Sequence, residues 1–362
     1  MLKHAMKQAI VASGLDRAAR GLAGGPGAIL MFHQVGPCRS ESGWTANSGL
    51  TTAPDVLESF LDTLQGEGYA LVTATEAVRR LLRGAGGRFA ALTFDDGYRD
   101  NRALLLPLLQ RRGAKATVYV TSGFIDRTAP MWWFGVEQAV AQSDRVTIRS
   151  GDRAHEFPTA TAAEKTAGYE KIRAMFYGFT PAETRRAVDG LKRDHGVDCH
   201  AVADLLSMDW AAVRELDQSG LVEIGGHAIS HGPLAAMSET EAWAEIDGGR
   251  RRIAEMTGRA PLALAYPYGI AATVSPRDIQ LAASAGYESA VTTEARPLRA
   301  GDAARPHALP RIALGGSDDW VSLRIRLAGL GFGRSDDAGW YAAHRMAQGQ
   351  NAEGPANRPS VS

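Results

Sequence analysis

The stretch LTFDDGYRDN, Leu92 to Asn101, sets two carboxylates side by side, Asp95 and Asp96, at the end of an apolar run and follows them with Gly97. Adjacent like charges repel, so something must offset one of them. A second stretch, GGHAISH, places His227 and His231 four residues apart. At that spacing two imidazoles can share one face of a helical turn and grip a single metal ion. Two histidines and one carboxylate leave coordination positions open for water and substrate, the arrangement of a catalytic rather than a structural centre. A metalloprotease helix needs glutamate directly after the first histidine, and Ala228 stands there, so that reading fails. Taken alone, HAISH is equally met by two ordinary loop histidines. Its weight comes from FDDG and from Tyr268 in AYPYG on neighbouring segments.

These groups need elements that bring them together. Strand and helix patterns alternate: AILMFHQV (28–35) reads as a buried strand and PDVLESFLDTLQGEG (54–68) as a helix with Pro54 near its start. YALVT, RFAALTF and AKATVYVT continue as strands, with ATEAVRRLLRG and NRALLLPLLQRRG as helices between them. Residues 123–206 break the rhythm and read as a mainly helical insertion with a polar strand pair near RVTIRSGDRAHEF. Alternation then resumes with LVEIGG, LALAYPYG and YESAVTT as strands and SETEAWAEIDGGRRRIAEMTG as a long helix. Repeated βα units predict an α/β fold, a parallel sheet or barrel with helices outside. Chemistry in such folds gathers at the carboxyl ends of the strands. Asp95 and Asp96, His33, the histidine pair and Tyr268 all follow strand ends, so four strands deliver polar groups to one rim. In a regular strand Asp95 and Asp96 point opposite ways, but Gly97 permits the sharp turn that brings both to one site.

A chain of 362 residues with 45% hydrophobic content can bury a substantial core. Forty basic residues balance forty acidic ones, leaving no whole-chain field to favour nucleic acid. Cys38 and Cys199 are too few for a disulfide framework or a thiolate metal site. No apolar run nears the roughly eighteen residues of a spanning helix, and the start lacks the apolar core of a secretory signal, so a cytoplasmic location is expected. Residues 1–27 read as an amphipathic helix and linker. The helix carries Leu2, Met6 and Ile10 on one face, and it either packs on the domain or, as the second reading, lies weakly on an anionic inner-membrane surface through residues 1–22. GLAGGPGA (21–28) precedes a strand and reads as linker rather than nucleotide loop. The barrel is expected over 28–332, and the polar residues 333–362 read as a frayed tail.

The elements TFDDG, HxxxH and PYG, in this order between about Ile29 and Leu314, resemble the polysaccharide deacetylases, the NodB-homology or carbohydrate esterase family four. The resemblance implies a distorted (β/α) barrel and a hydrolase of carbon–nitrogen bonds other than peptide bonds. Such enzymes remove acetyl groups from N-acetylated sugars with a divalent metal, most often zinc, with cobalt or another divalent ion as the alternative. The implied substrate is an N-acetylglucosamine-type unit of an oligo- or polysaccharide or of its lipid-linked precursor. By position, the resemblance implies Asp96, His227 and His231 as metal ligands, Asp95 as general base, and the backbone N–H of Tyr268 as oxyanion donor.

Two departures from the family pattern matter. Many members supply the acid from a C-terminal Leu-His motif, and ALPRIALGGSDDW here has none. LMFHQV is similar to the branch that begins with a Met-Tyr-His-like strand, which makes His33 the expected acid and leaves His307 in ARPHALPRI as the competing candidate. The family's Arg-x-Pro-Tyr is Ala265-Tyr266-Pro267-Tyr268 in this chain, without the arginine. Arg311 in LPRI is expected to reach the rim and replace it by an ion pair with Asp95. These departures suggest an alternative, a catalytically weak or inactive carbohydrate-binding protein on the same fold. Hydrolysis of a non-sugar amide is another, since fold does not dictate substrate. Met131, Trp132, Trp133 and Phe134 in the insertion form either a sugar subsite or packing against the barrel. His155, His195 and His200 read as solvated.

Overall fold

The alternating apolar segments build a sheet of eight strands, all neighbouring pairs parallel, in a computed structural model that describes residues 2–23, 25–37, 43–84, 86–316 and 318–330. In chain order they are β1 (Gly27–Phe32), β2 (Tyr69–Val72), β3 (Arg88–Phe94), β4 (Ala116–Val120), β5 (Val222–Gly226), β6 (Ala263–Ala265), β7 (Ser289–Val291) and β8 (Ile312–Ala313). The spatial order is β7-β6-β5-β4-β3-β1-β8, with β2 pairing the amino half of β3. The sheet curls back on itself: Leu309 bridges to Val291 of β7, and three residues later Ile312 pairs with Leu30 of β1. This is the distorted α/β barrel expected.

Alternation along the strands divides the core. Leu30, Phe32, Leu92, Phe94, Val118 and Val120 face outward onto helices such as Pro54–Gly66, whose Leu57, Phe60, Leu61 and Leu64 recur at helical spacing. Ile29, Ala91, Tyr119, Ala263, Ala265, Val291 and Leu309 face the barrel interior. The first strand stops at Phe32, so His33 sits in a break before the short pair Gln34–Val35.

Residues 123–206 contain helices Trp132–Gln142, Ala162–Phe176, Pro181–His195 and Cys199–Leu206 around the antiparallel hairpin Arg145–Ser150 and Arg153–Pro158. They gather a second apolar cluster that includes Phe124 and reaches Tyr98 of the barrel. The Glu137 carboxylate ties them to the loop after β1, accepting from Thr45 Oγ1 and from the Ala46 and Asn47 N–H groups at 2.6–2.8 Å. His195 is not simply solvated: its Nε2 accepts from the Thr147 N–H at 3.0 Å and pins the hairpin. Cys199 is buried, and Cys38 lies outside the described residues, as does the expected tail.

The opening segment departs from a single helix. It forms Leu2–Ala12 and Leu15–Ala23, broken at Gly14, which takes φ +74°. Met6 is exposed, and contact with the C-terminal helix Trp320–Leu327 is made by Val11 and Ile10 against Val321 and Ile325. Asp16, fully buried, completes the junction with Arg324 at 2.8 Å and Arg20 at 3.4 Å. Among the described residues no helix is long and apolar enough to cross a membrane. Removing one partner of a buried ion pair costs on the order of 3 kcal/mol. Asp16→Ala is therefore expected to loosen the two opening helices, read as faster tryptic cleavage after Arg17 while the barrel still unfolds cooperatively.

Candidate active site

Asp95 continues the inward-facing series of β3 and is buried at the barrel mouth. Arg311 meets it bidentately, Nη1 to Oδ1 at 2.7 Å and Nη2 to Oδ2 at 2.8 Å. The guanidinium is itself held, Nε donating to the Thr292 carbonyl at 3.1 Å, and is only 1% exposed. Burial works against a charge on Asp95, but the Arg311 guanidinium, aided by His227 and His33, holds the carboxyl below the usual range.

Asp96 leaves the strand direction at once. Its own φ is +74° and that of Gly97 is +80°, so the turn begins one residue earlier than glycine alone suggests. Asp96 Oδ1 then lies 3.4 Å from His227 Nε2 and 3.2 Å from His231 Nε2. The three potential ligand atoms fall within 4.8 Å of one another, all on buried residues. Asp96 Oδ1 receives no hydrogen bond of good geometry, an orphaned acceptor that a cation would satisfy. The Ala265 carbonyl accepts a hydrogen bond from His227 Nδ1–H at 2.6 Å, which leaves Nε2 to face Asp96. Two imidazole nitrogens and one carboxylate oxygen suit a divalent ion such as zinc and leave room for further ligands. Burial opposes the Asp96 charge, yet His231 and His227 hold it well below the ordinary carboxylate value. Burial pushes His231 down, toward the neutral imidazole that ligates metals.

The histidine loop is fastened from two sides. From the end of β4, the Ser122 and Gly123 N–H groups donate to the Ala228 and Ile229 carbonyls at 3.2 and 2.9 Å, and Thr121 Oγ1 donates to that of His227. From the helix Glu239–Thr257, the Glu245 carboxylate accepts from the Ile229 and Ser230 N–H groups at 3.0 and 2.7 Å. Gly249 allows this approach, since a Cβ there would stand 2.9 Å from the Ala228 backbone.

Tyr268 also holds a left-handed conformation, φ +61°, with its ring 4.6 Å from that of His231. Its hydroxyl accepts from Trp132 Nε1 at 2.9 Å, and among the described residues its backbone N–H has no acceptor. Trp132 stacks on Phe176 at 4.2 Å and Trp133 lies 5.0 Å from His231. Both tryptophans are buried and make the packing contact between insertion and barrel.

His33 is partly exposed at the rim, close enough for its charge to favour the ionised forms of both aspartates. His307 is elsewhere: its Nε2 lies 2.8 Å from the carbonyl of Tyr287, which precedes β7 at the opposite, amino end of the barrel. The site therefore contains His33, Asp95, Asp96, His227, His231, Tyr268 and Arg311, and not His307. Sequence reasoning missed Glu245 and the Trp132 hydrogen bond. The one local hint was the pair Gly248-Gly249 inside a long helix, where each glycine costs about 1 kcal/mol relative to alanine unless close approach requires it.

A sequence profile of the polysaccharide deacetylase family matches residues 83–290, and the chain belongs to that family, whose members hydrolyse carbon–nitrogen bonds other than peptide bonds. Among solved structures it is similar to the Streptococcus pyogenes deacetylase PplD, solved in complex with acetate, with 18% identity and a TM-score of 0.56 over 83% of this chain and 97% of that one. IcaB from Ammonifex degensii matches at 19% identity and TM-score 0.54 over 84% and 98% of the two chains. A de-N-acetylase from Aggregatibacter actinomycetemcomitans matches at 16% and 0.53 over 82% and 98%. No curated protein sequence matches.

Arg311→Met would strand a buried carboxylate, and such losses run to about 3–5 kcal/mol. Asp95 is below its ordinary pKa, so the stability it contributes is present above the unfolded value near 4 and is lost as pH falls through the lower folded one. At neutral pH, denaturant unfolding is expected to show a large loss for Arg311→Met and a smaller one for Asp95→Asn/Arg311→Met, because the double variant leaves no unpaired charge.

Proposed function

We propose that this chain is a divalent-metal-dependent deacetylase acting on N-acetylglucosamine-type units of an oligo- or polysaccharide or its lipid-linked precursor. The observation that carries the reading is the split of the aspartate pair: Asp96 converges with His227 and His231, while Arg311 holds Asp95 in its ionised form beside them. Asp96, His227 and His231 would hold the ion. Bound there, zinc or cobalt supplies Lewis-acid polarisation and makes water easier to deprotonate.

The chain's own residues then divide the work. Asp95 takes the proton of the attacking water as its oxygen bonds to the acetyl carbon. The Tyr268 N–H, which meets no acceptor among the described residues, would donate to the oxyanion that develops on the carbonyl oxygen. His33 delivers a proton to the sugar nitrogen as the carbon–nitrogen bond breaks, so the products are acetate and the free amine. Trp132 holds the Tyr268 ring from the insertion side. Arg311 also answers one ground for an inactive binding protein, because Asp95 keeps an arginine although the third motif lacks one.

Acetate release from N-acetylglucosamine oligomers tests the reading. Zinc- or cobalt-dependent release is expected, abolished by chelator and reduced at least about a hundredfold in Asp95→Asn, the lower end of the range for loss of a general base. Release that persists undiminished in Asp95→Asn would overturn the assignment of the base. Metal-loaded protein that releases no acetate would point to a different acylated substrate.

A further inference from the structure

We propose that Glu245 is a positioning residue for the metal-binding histidines, acting through the backbone of the loop between them. The inference rests on reading Asp96, His227 and His231 as the ligands of one ion. Both Ala228 and His231 take φ values in the left-handed region, +61° and +56°. Conformations of that kind cost of order 1–3 kcal/mol each and persist where surrounding structure over-determines them.

The hydrogen bonds of the loop show what over-determines this one. The Ala228 and Ile229 carbonyls are taken by Ser122 and Gly123 at the end of β4. The Ile229 and Ser230 N–H groups both converge on one oxygen, Glu245 Oε2. Among the described residues no basic side chain stands against Glu245, so the loop amides are its charge partners. Glu245 is partly buried, and burial disfavours its charge, so holding a carboxylate here without a cation has a cost that the two loop N–H groups offset. What the carboxylate adds is geometry: one oxygen, Oε2, fixes two consecutive N–H groups at the midpoint between His227 and His231. Gly249 belongs to the same device. A Cβ at Gly248 would meet only the tip of the Ile229 side chain, whereas one at Gly249 would stand 2.9 Å from the Ala228 carbonyl, so bulk at Gly249 would push the loop off the helix. Without the grip the loop can relax its left-handed residues, and the two Nε2 atoms lose their common focus on Asp96.

Zinc affinity, measured by chelator competition on the full chain, tests this without reference to any substrate. Glu245→Ala is expected to bind zinc about 10–100-fold more weakly, the range typical of residues that support metal ligands from behind. Glu245→Gln, which keeps the shape and one acceptor but not the charge, should fall between it and the parent, and it carries the test should the alanine variant not fold. Asp302→Asn is the control, a buried carboxylate paired with Arg296 and Arg305 and remote from the loop, and it should bind zinc as the parent does. Parent-like affinity in both Glu245 variants would overturn the proposal, as would an equal loss in Asp302→Asn, which would mark a general effect of lost stability. A parent chain that binds no zinc would instead remove the metal reading on which the proposal rests.

Discussion

The site depends on keeping two neighbouring carboxylates ionised at one buried rim. Each is given a different answer to the same electrostatic problem. Asp95 receives a bidentate arginine from a residue 216 positions away, and that partner exists only because the segment after β7 crosses the barrel mouth and pairs with β1. Asp96 is turned out of the strand by its own left-handed backbone and meets two imidazoles instead. Barrel closure and the Asp96 turn are thus electrostatic requirements as much as architectural ones. Remove either, and one charge is left uncompensated in a medium that does not tolerate it.

Backbone strain is concentrated where this division is made. Of the five non-glycine residues with positive φ among those described, Asp96, Ala228, His231 and Tyr268 belong to the site. Strain of that kind needs bracing. The braces come from separate parts of the fold: the end of β4, the glycine-bearing helix with Glu245, and Trp132 of the inserted helices. The insertion is therefore part of the wall of the site, with Trp133 against His231 and the Tyr177 ring tilted against that of Tyr268.

How much of this the sequence discloses follows from the range of each interaction. The βα alternation is local periodicity, and the strand ends carrying Asp95, Asp96, His227 and Tyr268 could be read from it directly. The pairing of Arg311 with Asp95 was reachable by noticing an arginine missing from one motif and present in the next segment. Other features are set by packing across the chain. Glu245 looks like any glutamate on an exposed helix until the loop sixteen residues before it folds against it. His33 was the expected acid and His307 its competitor, and the strand register separates them, with His307 at the amino end of the barrel and His33 at the mouth. Of the apolar face read from Leu2, Met6 and Ile10, only the Ile10 end meets the C-terminal helix while Met6 is exposed, and the buried ion pairs of Asp16 hold the opening helices in that orientation.

The most direct test of the account is to locate the ion and its ligands, by anomalous diffraction from zinc-loaded crystals. The account predicts one site at which His227 Nε2, His231 Nε2 and an Asp96 oxygen bind zinc at about 2.0–2.2 Å, while Asp95 stays outside the coordination sphere on Arg311. A zinc ion ligated by Asp95, or anomalous density only away from these three residues, would contradict the division of the aspartate pair.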